Sequence, residues 1–261
     1  MCTGGPGETW LAKTYTLRMV LPIGDDNRDR RRRPLVTPLL VAINVVFFLY
    51  ELELQAGSAS SLQAFVFRWG VVPYEYKVGA DLPPYISLPY WTTLITSLFL
   101  HGGWLHLLGN MLYLWIFGDN VEDRLGRLTF IAFYFGTGIV ASFAQILADP
   151  ASQIPSIGAS GAISGVLGAY LVMFPRKRVR VLLAFVIAEV PAIVVIGLWA
   201  LMQLLNGVGT LVTRSVDGAG VAYMAHVGGF LAGVVAALFL RAIRPPARRR
   251  PPRTVYLDQQ W

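Results

Sequence analysis

The sequence predicts an all-α polytopic membrane protein, a bundle of six transmembrane helices with a long membrane-associated first loop. Three observations carry this expectation. The 261 residues are 55% hydrophobic and only 14% charged, with a mean hydropathy of +0.54, whereas soluble domains carry about 25% charged residues. Apolar runs recur at about the 20-residue length that crosses a bilayer. The charges gather in short clusters between those runs, as topology signals do. That placement argues against a nucleic-acid surface despite the net charge of +7.

Residues 1–18 are polar and lack a secretory h-region before Asp25 and Asp26, and Met19 is a candidate translation start. Arg30 to Arg33 and Pro34 precede the first predicted span, 36–54. The stretch 55–103, with Trp91 and Leu98-Phe99-Leu100, is too apolar for a solvated linker. It is expected to lie in the membrane interface or against the bundle. Gly102-Gly103 break any helix leading into the second span, 104–117, which continues toward 125. The third, 128–147, ends before Asp149-Pro150. The fourth, 159–174, is short and glycine-rich, and Pro175 and Arg176-Lys177-Arg178 stop it. The fifth, 179–205, contains Pro191, expected to kink it, and Glu189, expected to be buried or to line a polar cavity. The sixth covers 221–240.

Residues 1–34 thus form an N-terminal cytoplasmic segment, 35–243 the membrane domain, and 244–261 a basic Pro/Arg-rich cytoplasmic tail lying on anionic headgroups. Of the 22 Lys and Arg residues, all but Arg68, Lys77 and Arg214 fall on one side of these spans. The positive-inside rule places that side, with both termini, in the cytoplasm. Cys2 is the only cysteine, which excludes an intramolecular disulfide and a multi-cysteine metal site. Three histidines and few intramembrane carboxylates also argue against bound metal. No cofactor is expected.

Ionisable groups at membrane depth mark functional sites, and a serine with a histidine is the minimal nucleophile and base for acyl transfer. Spans four and six both enter from the outside. Ser160 therefore falls in the first turn of its span, and His226 lies about 7 Å below Val221 at 1.5 Å per residue. Gly161, Gly165 and Gly168, and the Gly229-Phe-Leu-Ala-Gly233 pattern, let the two helices approach closely. His106 and Asn110, spaced i and i+4, share one face at the start of span two and carry donors suited to an oxyanion. Helix-to-helix hydrogen bonding is the alternative for that pair. His101 is expected to anchor the loop.

These residues resemble the rhomboid family of intramembrane serine proteases, in its bacterial form, over about 35–241. The matching motifs are His101-Gly-Gly-Trp-Leu-His106-Leu-Leu-Gly-Asn110, Glu122-Asp-Arg124-Leu-Gly126, Gly158-Ala-Ser160-Gly161 and Ala225-His226-Val-Gly-Gly229-Phe-Leu-Ala-Gly233. The resemblance implies a Ser160–His226 dyad without a third acidic member. It implies an oxyanion hole of His106, Asn110 and the Ser160 N–H, and transmembrane protein substrates cut near the outer leaflet of a bacterial plasma membrane. It further implies that Glu122 and Arg124 tie the cytoplasmic end of span two. Two departures stand out: Trp91-Thr92-Thr93 replaces a Trp-Arg pair, and Ser164 replaces an aromatic that stacks on the histidine. A non-cleaving rhomboid-like binder and a small-solute transporter are the rival functions.

Overall fold

The computed structural model describes residues 20–183, 185–213 and 221–243. Met19, Arg214 and the tail 244–261, on which expectations fell, lie outside the described residues.

Helix α1 (Val36–Gly57) starts just after Pro34. Its free N-terminal amides are not capped from within. The Glu122 carboxylate accepts hydrogen bonds from the N–H groups of Leu35, Val36 and Thr37 at 2.8, 3.0 and 2.8 Å, and from the Thr37 hydroxyl at 2.9 Å. A carboxylate at a helix N-terminus satisfies orphan donors and complements the helix dipole. Its neighbour Asp123 accepts from the N–H groups of Arg31 and Arg32 at 3.1 and 2.7 Å. Glu122 and Asp123 therefore fasten the start of α1, whereas Arg124 is exposed and makes no such tie among the described residues.

The stretch after α1 is more ordered than a loop. It holds α2 (Ala59–Trp69), α3 (Pro73–Val78) and α4 (Thr93–Thr96), with a 3-10 turn on each side of α4. Ser58 caps α2 by accepting from the Ser61 N–H, Pro73 opens α3 at its first position, and the left-handed Gly79 closes it. Helices α5 (Trp104–Leu125), α6 (Arg127–Ala148), α7 (Ser160–Met173), α8 (Ala192–Thr213) and α9 (Tyr223–Ile243) complete the bundle. Among the described residues, four helices are long and apolar enough to cross a membrane: Val36–Gly57, Arg127–Ala148, Ala192–Thr210 and Tyr223–Ile243. Helix α5 matches them in length but carries Asp119, Glu122, Asp123 and Arg124 in its last turns, and α7 has 14 residues.

Helix α7 is the centre of the bundle, with every residue from Gly161 to Tyr170 buried. Its glycines admit α9 to backbone contact. A Cβ added at Gly229 would overlap the Gly161 carbonyl oxygen, and one at Gly233 the Gly165 carbonyl oxygen. Such close approach is how membrane helices gain packing where no hydrophobic force separates lipid from protein.

The expectation of an all-α chain is corrected by a three-stranded antiparallel sheet. Strands β1 (Val20–Asp25), β2 (Arg178–Leu183) and β3 (Val186–Pro191) lie in the order β1-β2-β3. The fifth span therefore does not begin at 179: Arg178–Leu183 and Val186–Pro191 are paired strands, and the helix starts only at Ala192. Val179, Val181, Val186, Ile187 and Val190 are β-branched and favour extended backbone, and Pro191 ends the strand instead of kinking a helix. Glu189 is correspondingly exposed on β3, neither buried nor lining a cavity. A buried polar network joins the sheet to the bundle. The Asp25 carboxylate accepts from the Tyr170 hydroxyl at 2.7 Å and from the Asn120 amide at 2.8 Å. The Lys177 ammonium donates to Asn120 Oδ1 at 2.5 Å and to the Asp26 carbonyl at 2.7 Å, and Arg30 pairs with Asp119 at 2.5 Å. Burial pushes the Asp25 carboxyl up to about 6, against the opposing hydrogen bond from Tyr170.

Candidate active site

Ser160 is the first residue of α7, and the chain enters it through a loop pinned from two sides. Ser156 pairs with Val71 in an isolated antiparallel bridge, and the Gly158 N–H donates to the Ser97 carbonyl at 2.8 Å. Gly158 has φ +116, a conformation open to glycine but strained for other residues. The turn it makes leaves Ser160 half-buried, with its own N–H among the unpaired donors of a helix start.

His226 lies in the first turn of α9, and its Nε2 is 2.8 Å from the Ser160 hydroxyl oxygen. Its other ring nitrogen, Nδ1, is 2.8 Å from the amide oxygen of Gln203 on α8. An amide oxygen can only accept, so this bond puts the ring proton on Nδ1. The Nε2 lone pair is then free to take the serine proton. Trp199, one helical turn before Gln203, lies against the same imidazole with ring centroids 6.1 Å apart and planes 35° apart. Tyr223 meets it edge-on at 6.4 Å. The imidazole is thus held from α8 and from the first turn of α9. At Ser164, where an aromatic was missed, the hydroxyl bonds back to the Ser160 carbonyl at 2.6 Å.

Across the serine stand two donors from the start of α5. The Gly102 N–H donates to His106 Nδ1 at 3.2 Å, which leaves the proton on Nε2. A Cβ built on Gly158 would lie 2.6 Å from that Nε2 and 3.6 Å from the Asn110 amide nitrogen. Both nitrogens therefore face the space over the glycine two residues before Ser160. The Asn110 amide nitrogen is buried with no hydrogen-bond partner among the described residues. A buried amide donor without a partner costs about 1–3 kcal/mol, a cost that a developing negative charge would relieve. His101 is buried, its N–H donating to the Glu51 carboxylate of α1 at 3.1 Å, and its ring is 5.1 Å from that of His106. A cavity of about 20 Å³ walled by Ser97, Ser142 and Gly158 abuts Ser160 and is large enough for about one water.

The four site residues expected from the sequence, Ser160, His226, His106 and Asn110, thus converge on one end of α7. Gln203 and Trp199 were not anticipated. Gln203 was legible as a polar residue in an apolar helix. A span drawn as 179–205 set it near an end, whereas in α8 it falls mid-helix.

A bundle of apolar helices with a serine and a histidine in contact has counterparts among known membrane proteins. The Rhomboid domain family matches residues 89–243. The chain is 32% identical to Rhomboid protease GluP of Bacillus subtilis over 208 residues, 80% of this chain and 35% of that protein. It is 34% identical to mitochondrial Rhomboid protein 1 of Saccharomyces cerevisiae over 170 residues, 60% of this chain and 44% of that protein. It is also 34% identical to RHOMBOID-like protein 5 of Arabidopsis thaliana over 227 residues, 80% of this chain and 68% of that protein. The chain belongs to the rhomboid family, and it is a multi-pass membrane protein. It spans about a third of the length of GluP.

Proposed function

We propose that this chain is an intramembrane serine endopeptidase that cleaves transmembrane proteins near the outer leaflet, with Ser160 as nucleophile and His226 as general base. The observation that carries this is the 2.8 Å contact between the serine oxygen and Nε2 of an imidazole whose Nδ1 is engaged elsewhere. In the first step the Ser160 proton passes to His226 Nε2 as its oxygen bonds to the scissile carbonyl carbon. The resulting oxyanion accepts from His106 Nε2–H, the Asn110 amide and the Ser160 N–H. Collapse breaks the C–N bond, and His226 returns the proton to the leaving amine. Water then attacks the acyl-serine carbonyl and gives a proton to His226 Nε2, which passes it to the Ser160 oxygen as the acyl C–O bond breaks and the new carboxyl terminus leaves.

In this reading α5 and α7 also cross the membrane, giving six spans with both termini in the cytoplasm. The basic clusters at one end support that orientation, and the short α7 suits a site sunk from the outer surface. Its similarity to GluP over 80% of the chain supports a bacterial plasma membrane. Purified protein in liposomes should cleave a labelled transmembrane peptide and react with a fluorophosphonate at Ser160. Ser160→Ala should lose both activities while keeping its melting temperature. Cleavage by that variant at a substantial rate would overturn the assignment, and a folded wild type that binds the peptide without cutting it would favour a non-cleaving binder.

A further inference from the structure

A second cavity, of about 330 Å³, opens at the end of the bundle opposite Ser160, where α5, α7 and α9 terminate. That volume lies in the range of small-ligand sites, about 300–1,000 Å³. Its walls combine two chemistries. Arg124, Arg176 and Arg241 stand around it, and Leu125, Val172 and Leu240 lie within it. None of the three arginines takes part in an ion pair among the described residues, where the pairs are Arg28–Asp26 and Arg30–Asp119. The hydrogen bond from Arg241 to the Val172 carbonyl is long, at 3.4 Å. Helix C-termini favour nearby cations, but that preference does not require three guanidiniums to surround an open space.

The surroundings indicate what enters. Leu128, next to the lining residue Thr129, is 84% exposed, and Phe239, next to Leu240, is 65% exposed. Large apolar side chains at that exposure mark a surface meeting hydrocarbon, so the cavity mouth lies where acyl chains give way to headgroups. Guanidinium forks match phosphate oxygens, and basic residues at this depth attract anionic lipid. We infer that this cavity binds an anionic phospholipid, its phosphate between Arg124, Arg176 and Arg241 and its first acyl carbons on Val172 and Leu240. The site is separate from the serine and does not depend on proteolysis. It also gives Arg124, which makes no tie to α1, a role of its own.

Native mass spectrometry of the full chain, with phosphatidylglycerol and phosphatidylcholine added in turn, tests the assignment. Phosphatidylglycerol adducts should dominate. The triple variant Arg124→Gln/Arg176→Gln/Arg241→Gln should weaken them at least tenfold, from about fivefold per basic residue at a membrane surface. Arg124→Gln alone, at an exposed position, should show part of the loss with an unchanged melting temperature. Arg178→Gln/Arg180→Gln, on exposed β2 positions outside the cavity, should bind as wild type does. Equal retention of the two lipids, an unaffected triple variant, or an equal loss in the β2 variant would overturn the proposal. Displacement of the lipid by equimolar inorganic phosphate would also overturn it, by showing a free-anion site.

Discussion

Gln203→Leu removes the amide oxygen that meets His226 Nδ1 and leaves the shape of α8 nearly unchanged. In the structure the 2.8 Å bond selects the tautomer with its lone pair on Nε2. In the proposed mechanism the ring becomes an imidazolium as the serine proton arrives, and the Nδ1–H bond strengthens. Hydrogen bonds to charged groups contribute about 1.5–3 kcal/mol. If the bond matters mainly in the transition state, kcat should fall about 10- to 150-fold. KM should stay within about twofold, because Gln203 bonds the histidine and not the substrate. The assay is cleavage of a fluorogenic transmembrane peptide in liposomes under single-turnover conditions, with the fluorophosphonate labelling rate as a second measure. Gln203→Glu should recover part of the rate, because a carboxylate accepts the same bond. Wild-type kcat in Gln203→Leu would refute the reasoning. Equal losses in the Leu and Glu variants would reduce Gln203 to a packing residue.

Other expectations follow from the same geometry. Gly158→Ala would put a methyl 2.6 Å from His106 Nε2, so kcat should fall about 10²-fold or more, as when an oxyanion donor is removed; near-normal turnover would show that the oxyanion sits elsewhere. Glu122→Ala leaves three N–H groups of α1 uncapped and should lower stability by about 3 kcal/mol, read from thermal melting; an unchanged melting temperature would contradict the capping role. The folded-state Asp25 carboxyl is raised from 3.8 to about 6, so its contribution to stability is lost as pH rises through that window. Asp25→Asn should therefore stabilise the protein above pH 6, by at most about 3 kcal/mol, with no gain below about pH 4. A gain that grows on acidification would reverse the sign.

Helix α7 was legible almost to the residue, because Pro175 and the basic cluster end it and its glycines announce a close neighbour. The contact of Ser160 with His226 was legible for a related reason: few polar groups sit in apolar runs, and the direction of each span sets the depth expected for them. Hydropathy failed at 178–191. Its residues are as apolar as a span, and only the density of β-branched side chains separated strand from helix. That single error moved the start of the fifth helix by 13 residues and hid Gln203 and Trp199. Strand β1 was illegible for another reason, since six residues of strand acquire meaning only beside a partner far along the chain. The role of Asp123 in fastening α1 was masked by its more familiar neighbours Glu122 and Arg124.

The pairing of β1 with β2 also orders events during synthesis. Val20 lies opposite Leu183, so the first strand must wait for more than half of the chain before it has a partner. At about 5–20 residues per second, that wait is on the order of ten seconds or more. By its end α1, α5 and α6 are already made, and until Tyr170 and Lys177 emerge Asp25 and Asn120 lack those partners. The sheet is therefore a late clasp, closing after α7 is in place and joining the two ends of a nascent bundle. A polypeptide stalled before Arg178 would carry Ser160 and the donors of α5, yet its N-terminal strand would still be open to pair with the wrong edge.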